Sequence, residues 1–342
     1  MRNVVFTFLF SLLIFGCKKD DQKEFSNYDK GLIILNEGQF GAGSGTISFL
    51  EPSKNTAIDD VFGIENGGAK IGNILQSLTI VGDRYYFVVN NSNKVVITNK
   101  VFKYQTEITG FELPRYIDYK GDKAYVTQWG KDGITGSLAI VDLITNQIQK
   151  TIPLGKGPEN MLVQGDKIYV SMSGGFGSDN RIMVVDLFSE TLAKTIVVDD
   201  CPGQLVQKGD EIVALCKGYN DYLMPSNSTF GSVVILKDNV IKSKITLPDF
   251  ADNLIKKTSS DTLFFTVGGQ PAKWDAISPD YQKYSYSGYI YRLSNDLATD
   301  QLIVSDAGDF TSRGKIHKVG ADFNIISSID AGIIPSHVYS TK

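Results

Sequence analysis

Between Ala124 and Leu154 apolar and polar positions alternate in three short bursts, AYVTQW, SLAIVDL and QKTIPL, separated by a polar loop and a Thr-Asn turn. Period-two alternation rich in Val, Ile, Tyr and Thr predicts antiparallel strands joined by hairpins. The following stretch repeats the trio as KIYVSM, RIMVVDL and AKTIVV. Each trio is preceded by a short apolar strand that opens on proline: PRYIDY from Pro114, PENMLV from Pro158 and PGQLVQ from Pro202. The prolines recur about every 44 residues, an interval that signals propellers rather than helical solenoids. Degenerate copies begin at Leu75, Asp252 and Tyr289, and a split copy joins PSHVYS from Pro335 to DKGLIILNEG from Asp29. No stretch carries a convincing helical period.

Four strands per unit, seven times, predict an all-β chain: a seven-bladed β-propeller of four-stranded antiparallel blades, its ring closed by pairing of N- and C-terminal strands. Closure covers edges that would otherwise template aggregation. The weakest unit is the sixth, whose outer strands must come from GGQPAKWDAISPDYQKYSYSG, residues 268–288. A six-bladed ring is the alternative.

The first residues read differently. Arg2, an apolar run from Val4 to Phe15 and then Gly16-Cys17 form a signal-peptide pattern over residues 1–16. About 12 apolar residues are too few to span a bilayer, which needs roughly 20. Ile14-Phe15-Gly16-Cys17 resembles a bacterial lipobox, which makes Cys17 the lipidated residue and 17–28 a polar tether. Phe15 departs from the small residue usual there. Lys18-Lys19-Asp20-Asp21 resembles the signal that sends Bacteroidetes lipoproteins to the outer face of the outer membrane. The propeller then occupies 29–342, anchored to a membrane rather than spanning it. The chain carries 34 Lys and Arg against 38 Asp and Glu, so no basic excess points to nucleic acid. Cys201 and Cys216 lie on two arms of one hairpin, and an exported chain permits either a disulfide or two buried thiols.

The repeats, with NEGQFG from Asn36, VVNNSNKVVI from Val88, YVTQWG and SDAGDFTSRGKI, resemble the YncE-like propeller lipoproteins of Bacteroidetes. Within them the chain most resembles the surface-exposed vitamin B12-binding lipoproteins of the BtuG type, from about Gly31 to Ser340. That resemblance implies a lipoprotein at the cell surface, seated on a TonB-dependent corrinoid transporter.

Loops after the second strand of each blade share a face with the entry of the innermost strand, and they vary most. They are read at 36–45, 90–93, 128–136, 173–180, 217–231, 268–280 and 306–314. Such loops on a rigid scaffold are the usual place for binding. Their flat groups are Phe40, Trp129, Phe176, Tyr219, Tyr222, Trp274 and Phe310. Their polar groups are Asn36, Glu37, Asn90, Asn91, Asn180, Asp306, Arg181 and Arg313. The innermost strands open with Gln76, Arg115, Glu159, Asn160, Gln204, Asn253 and His337. Rings give area while amides and guanidinium groups fix orientation, which suits a large, mostly uncharged ligand. For a corrinoid, Trp129, Tyr219, Tyr222 and Trp274 would cover the ring or the tail, amides would meet the peripheral amides, and an arginine the phosphate.

Each residue also has a plainer reading. Trp129 can pack between blades, Asn36, Asn90 and Asn91 can serve turns, and Arg115 can pair with Glu159. Enzymatic readings fare worse. Two histidines, no HxxH or CxxC spacing and mixed axial residues give little for a metal or cofactor. Glu159, Asp252 and Asn253 keep a calcium-assisted hydrolase as the last alternative. The expected function is capture of a corrinoid and its delivery to a transporter, without catalysis and without a cofactor. A siderophore, haem or glycan, or a pure protein-interaction platform, are the alternatives.

Overall fold

The computed structural model describes residues 28–278 and 280–341. Seven antiparallel sheets surround one axis. Their innermost strands are Pro335–Ser340, Leu75–Val81, Pro114–Lys120, Pro158–Gln164, Pro202–Lys208, Ala251–Lys256 and Arg292–Asp296. We number the blades in that order, so that the first is the one closed by both ends of the chain. The expected seven-bladed propeller is therefore what forms, and the six-bladed alternative is set aside.

Closure is direct. Pro335–Ser340 pairs with Leu32–Asn36, Ile33 opposite Tyr339 and Leu32 opposite Ser340, with a bulge near Asn36. Six blades have four strands, but the first has three, the last being Thr46–Leu50. Its fourth strand is reduced to a bridge between Phe49 and Ile58. A one-turn helix, Val61–Glu65, follows, capped by Asp60, whose Oδ1 accepts from the Gly63 N–H at 3.1 Å. Tyr28, read as tether, is instead buried edge-on against Phe49 and Phe102, at 5.1 and 5.0 Å between ring centroids. The folded body thus includes a residue that its polar neighbours concealed.

The core is distributed. Seven apolar clusters form, one between each pair of adjacent blades. Alternation explains this, because successive side chains of a central strand point to opposite neighbouring blades. Tyr86, Val88 and Ile97 of the second blade meet Val126 and Ala139 of the third, while Tyr85 and Phe87 face the first.

Two backbone features repeat with the sequence. A left-handed residue precedes most innermost strands: Ile74, Leu113, Gly157, Cys201 and Ile334, at φ between 51° and 59°. For the bulky members this costs energy that the surrounding packing must offset. The sixth blade departs, placing the left-handed residue inside the strand at Asn253, φ 66°. The second feature is a glycine opening the third strand. A Cβ on Gly136 would stand 2.3 Å from Pro158 Cδ, and one on Gly314 would stand 2.4 Å from Pro335 Cδ. Glycine there lets the next blade's proline approach, which couples loop sequence to blade spacing.

The sixth blade corrects the loop reading. Its second and third strands, Leu263–Val267 and Gln270–Trp274, are joined by Gly268-Gly269 alone, both at positive φ. Residues 270–274 are therefore strand, and Trp274 pairs with Leu263 at the far pole of the molecule. Only Gln282–Lys283 serve as the fourth strand.

Candidate functional site

The loop face and the entry of the innermost strands do lie at one pole, since Pro114 pairs with Gln128 and Pro158 with Met172. At the axis the repeated position after the proline converges. Arg115 reaches across to Glu159 through two parallel hydrogen bonds, Nε to Oε2 at 2.9 Å and Nη2 to Oε1 at 2.8 Å. Its Nη1 donates to Gln76 Oε1 at 2.6 Å. The Trp129 indole N–H donates to Glu159 Oε2 at 2.9 Å, and the guanidinium sits 4.4 Å from the Trp129 ring centroid. Burial opposes charge on both partners. Their mutual attraction outweighs it, holding Glu159 below and Arg115 above their usual ranges.

A second charged group faces it across the axis. Lys217 Nζ donates to Asp252 Oδ2 at 3.0 Å, and Gln204 Nε2 to Oδ1 at 3.2 Å. Burial would raise the Asp252 pKa, but Lys217 and Arg292 overcome it and hold it at about 2. Both axial carboxylates are thus engaged by cations of the chain itself. A third contact comes from the first blade's loop: Glu37, buried and raised in pKa by that burial, accepts from the Tyr291 hydroxyl at 2.9 Å.

Below this polar layer an axial cavity of about 340 Å³ runs toward the opposite pole. Asn160, Gln204, Asn253, Arg292 and His337 line its upper part, and Tyr116 and Tyr339 form aromatic walls. Asn160 is committed, its Oδ1 accepting from the Leu205 N–H at 3.1 Å. Gln204 Oε1, Asn253 Oδ1, Arg292 Nε and His337 Nδ1 are buried without a partner among the described residues. His337 is edge-on to Tyr116, and burial with two nearby arginines lowers its pKa to about 3.

The rim is aromatic and exposed. Phe40 is 81% exposed, Phe176 69% and Tyr222 85%, each in a different loop of the same face. Trp129 links axis to rim by packing edge-on against Phe176 at 5.6 Å. Phe310 does so at another blade, touching Tyr289 and Tyr291. Tyr219 is held by a bridge to Thr229, which fixes the base of the longest loop and leaves Tyr222, Leu223 and Met224 at its tip.

Several expected contacts fall away. Trp274 is buried at the other pole, its indole N–H bound to Ser278 O at 2.7 Å, so it cannot share a ligand with Tyr219 and Tyr222. The two-glycine turn is the reason. Asn36 is fully buried, its amide bound to Thr46, Ser48 and the Gly332 N–H. Asn90 is buried too, donating to Pro114 O at 2.8 Å. Both fasten blades together. Asn91 remains on the loop face, half-buried. Arg181 is held by Asp179 at 2.8 and 2.5 Å, and Arg313 by Asp59 at 2.5 Å, so both lie at the rim with carboxylates already attached.

Cys201 and Cys216 are free thiols. Cys216 faces Pro202 while Lys217 faces Cys201, so the two cysteines are one residue out of direct register. Burial pushes Cys216 up to about 12. Cys17 and the lipobox lie outside the described residues.

Sequence reasoning missed Tyr289, Tyr291, Arg292 and Lys217. The first three belong to a unit without an initial proline, so the axial position of Arg292 had no marker. Among the described residues no helix is long and apolar enough to cross a membrane.

A family described as "Domain of unknown function (DUF5074)" matches residues 30–285. No curated protein matches the chain. A quinonprotein alcohol dehydrogenase-like protein from Bacteroides thetaiotaomicron VPI-5482 is similar at 14% identity, with 92% of this chain and 79% of that one covered and a TM-score of 0.69. A candidate 6-phosphogluconolactonase from Bacteroides fragilis NCTC 9343 shows 11% identity, 93% and 99% coverage and a TM-score of 0.67. Apo AztD from Citrobacter koseri shows 12% identity, 91% and 97% coverage and a TM-score of 0.55. At such identities the likeness is one of fold.

Proposed function

The chain belongs to the DUF5074 family, and we propose that it is a capture protein whose loop face binds a large amide-fringed ligand, a corrinoid foremost, and passes it to a TonB-dependent transporter. The observation that carries this reading is the set of exposed rings, Phe40, Phe176 and Tyr222, standing on separate loops around a polar axis. Aromatic area at low conformational cost, with amides and one buried arginine–glutamate pair behind it, suits a broad macrocycle. The reading is of binding without chemistry: Glu159 and Asp252 are each satisfied by a cation of the chain, which leaves little for a hydrolytic metal. Attachment to the outer membrane through Cys17 belongs to the same proposal, as does exposure at the cell surface.

The test is retention of colour. Purified protein mixed with cyanocobalamin and desalted should come off the column red, at about one ligand per chain. A colourless protein peak at micromolar concentration removes the corrinoid. Retained haem or a ferric siderophore in its place would keep capture and change the cargo.

A further inference from the structure

Gln204, Asn253, Arg292 and His337, the four residues that carry these unpartnered polar atoms, come from four different blades and line the same axial cavity. In the buried interior a polar group without a hydrogen bond costs free energy, and native structures seldom leave several together. They are also of two kinds. Arg292 Nε is a donor, and its guanidinium is more loosely paired than Arg115 or Lys217: Nη1 stands 3.7 Å from Asp252, which Lys217 already holds at 3.0 Å. Arg115 is spent on Glu159. Gln204 Oε1 and Asn253 Oδ1 are acceptors, and Asn253 is only 4% exposed. An anion alone would satisfy the arginine and leave the two amide oxygens unmet. A metal cation would meet the oxygens and be repelled by Arg292. A molecule carrying both a carboxylate and hydroxyl groups satisfies both kinds.

We propose that the axial cavity is a binding site for a small hydroxycarboxylate, whose carboxylate is received by Arg292 and whose hydroxyls donate to Gln204 and Asn253. The remaining wall fits. Leu205, Leu254 and Leu293 are apolar and accommodate a short carbon chain, and the volume of about 340 Å³ lies at the small end of ligand pockets. His337, kept neutral by its surroundings, offers Nδ1 as acceptor or donor according to tautomer. The site is separate from the rim. The Arg115–Glu159–Trp129 contacts lie between them, so a ligand at one does not need the other.

Titration calorimetry on the purified chain, with no corrinoid present, decides the matter using lactate, malate and gluconate, with acetate and sodium chloride as comparators. The expected result is saturable heat and a dose-dependent rise in Tm with at least one hydroxy acid, and at least about tenfold weaker binding of acetate. Arg292→Gln should abolish the response, and Asn253→Leu should weaken it by about tenfold or more. If Arg292→Gln does not fold, Asn253→Leu, checked by circular dichroism, carries the test. Absence of heat and of any Tm shift with all three acids overturns the proposal. So does acetate binding equal to that of the hydroxy acids, or unchanged affinity in a folded Asn253→Leu. Because the readout contains no corrinoid, its failure leaves the capture reading untouched, and failure of colour retention leaves this one.

Discussion

Blades three to five and blades six to one obey the same plan with different strictness. In the regular arc each innermost strand opens on proline after a left-handed residue, and most of its axial polar groups find protein partners: Arg115 on Glu159, Asn160 on the Leu205 backbone. In the irregular arc the proline is missing at Ala251 and Ile290, the left-handed residue has moved to Asn253, and the sixth blade's fourth strand has shrunk to two residues. Of the four cavity side chains with unmet polar atoms, Asn253, Arg292 and His337 come from that arc and Gln204 from the regular one. At the axis, polar groups left to meet something else are concentrated in the less regular arc without being confined to it.

The largest expected effect tests the regular arc. Arg115→Ala leaves Glu159 buried without its cation and should cost about 3–5 kcal/mol in urea unfolding. A loss below about 1 kcal/mol would mean that the pair is dispensable and the contrast false. Next comes blade spacing: Gly136→Ala forces a Cβ against Pro158 and the Gly155 carbonyl and should cost about 1–3 kcal/mol. Gly82→Ala, which meets open space at its Cβ, should cost less, its φ of 57° being the only strain.

His337 sharpens the other side. Its folded pKa is lowered from 6.5 to about 3, so between those values the unfolded chain binds the extra proton. Its contribution to stability is complete above pH 6.5 and is lost as pH falls toward 3. His337→Gln should flatten the acid limb of stability against pH, read by urea midpoints from pH 7 to 4; an unchanged slope would mean that His337 titrates as if exposed. The smallest stability effect is expected at the rim. Tyr222→Ala should change unfolding free energy by under about 0.5 kcal/mol while weakening retention of cyanocobalamin. A change in stability there without one in retention would make the tyrosine structural.

Much of the scaffold was legible because period-two alternation and a recurring proline each report a local backbone choice. The split unit was readable for the same reason: PSHVYS and GLIILNEG carry the pattern on both ends. What escaped reading depends on partners distant in the chain. Nothing local says that Tyr28 will sit between Phe49 and Phe102, or that the Asn36 amide will be consumed by Thr46, Ser48 and Gly332. Trp274 was misplaced because a thirteen-residue stretch rich in Gly, Pro and Asp looks like a loop, whereas two glycines suffice for the turn and the next five residues, Gln270–Trp274, pair with Leu263–Val267. Arg115 and Glu159 were found by their shared offset from proline, and Arg292 was missed where that proline is absent.

The strand Pro335–Ser340 also bears on mechanics. It lies beside Leu32–Asn36 in antiparallel register, and the Thr341 hydroxyl oxygen accepts from the Gly31 N–H at 2.9 Å. A pull on the segment leading into Tyr28 is therefore taken up by sliding two strands lengthwise, with several backbone bonds loaded together instead of opened singly. Were this molecule tugged by a partner while moored through its leading segment, the blade bearing the strain would be the one sewn from both ends of the chain.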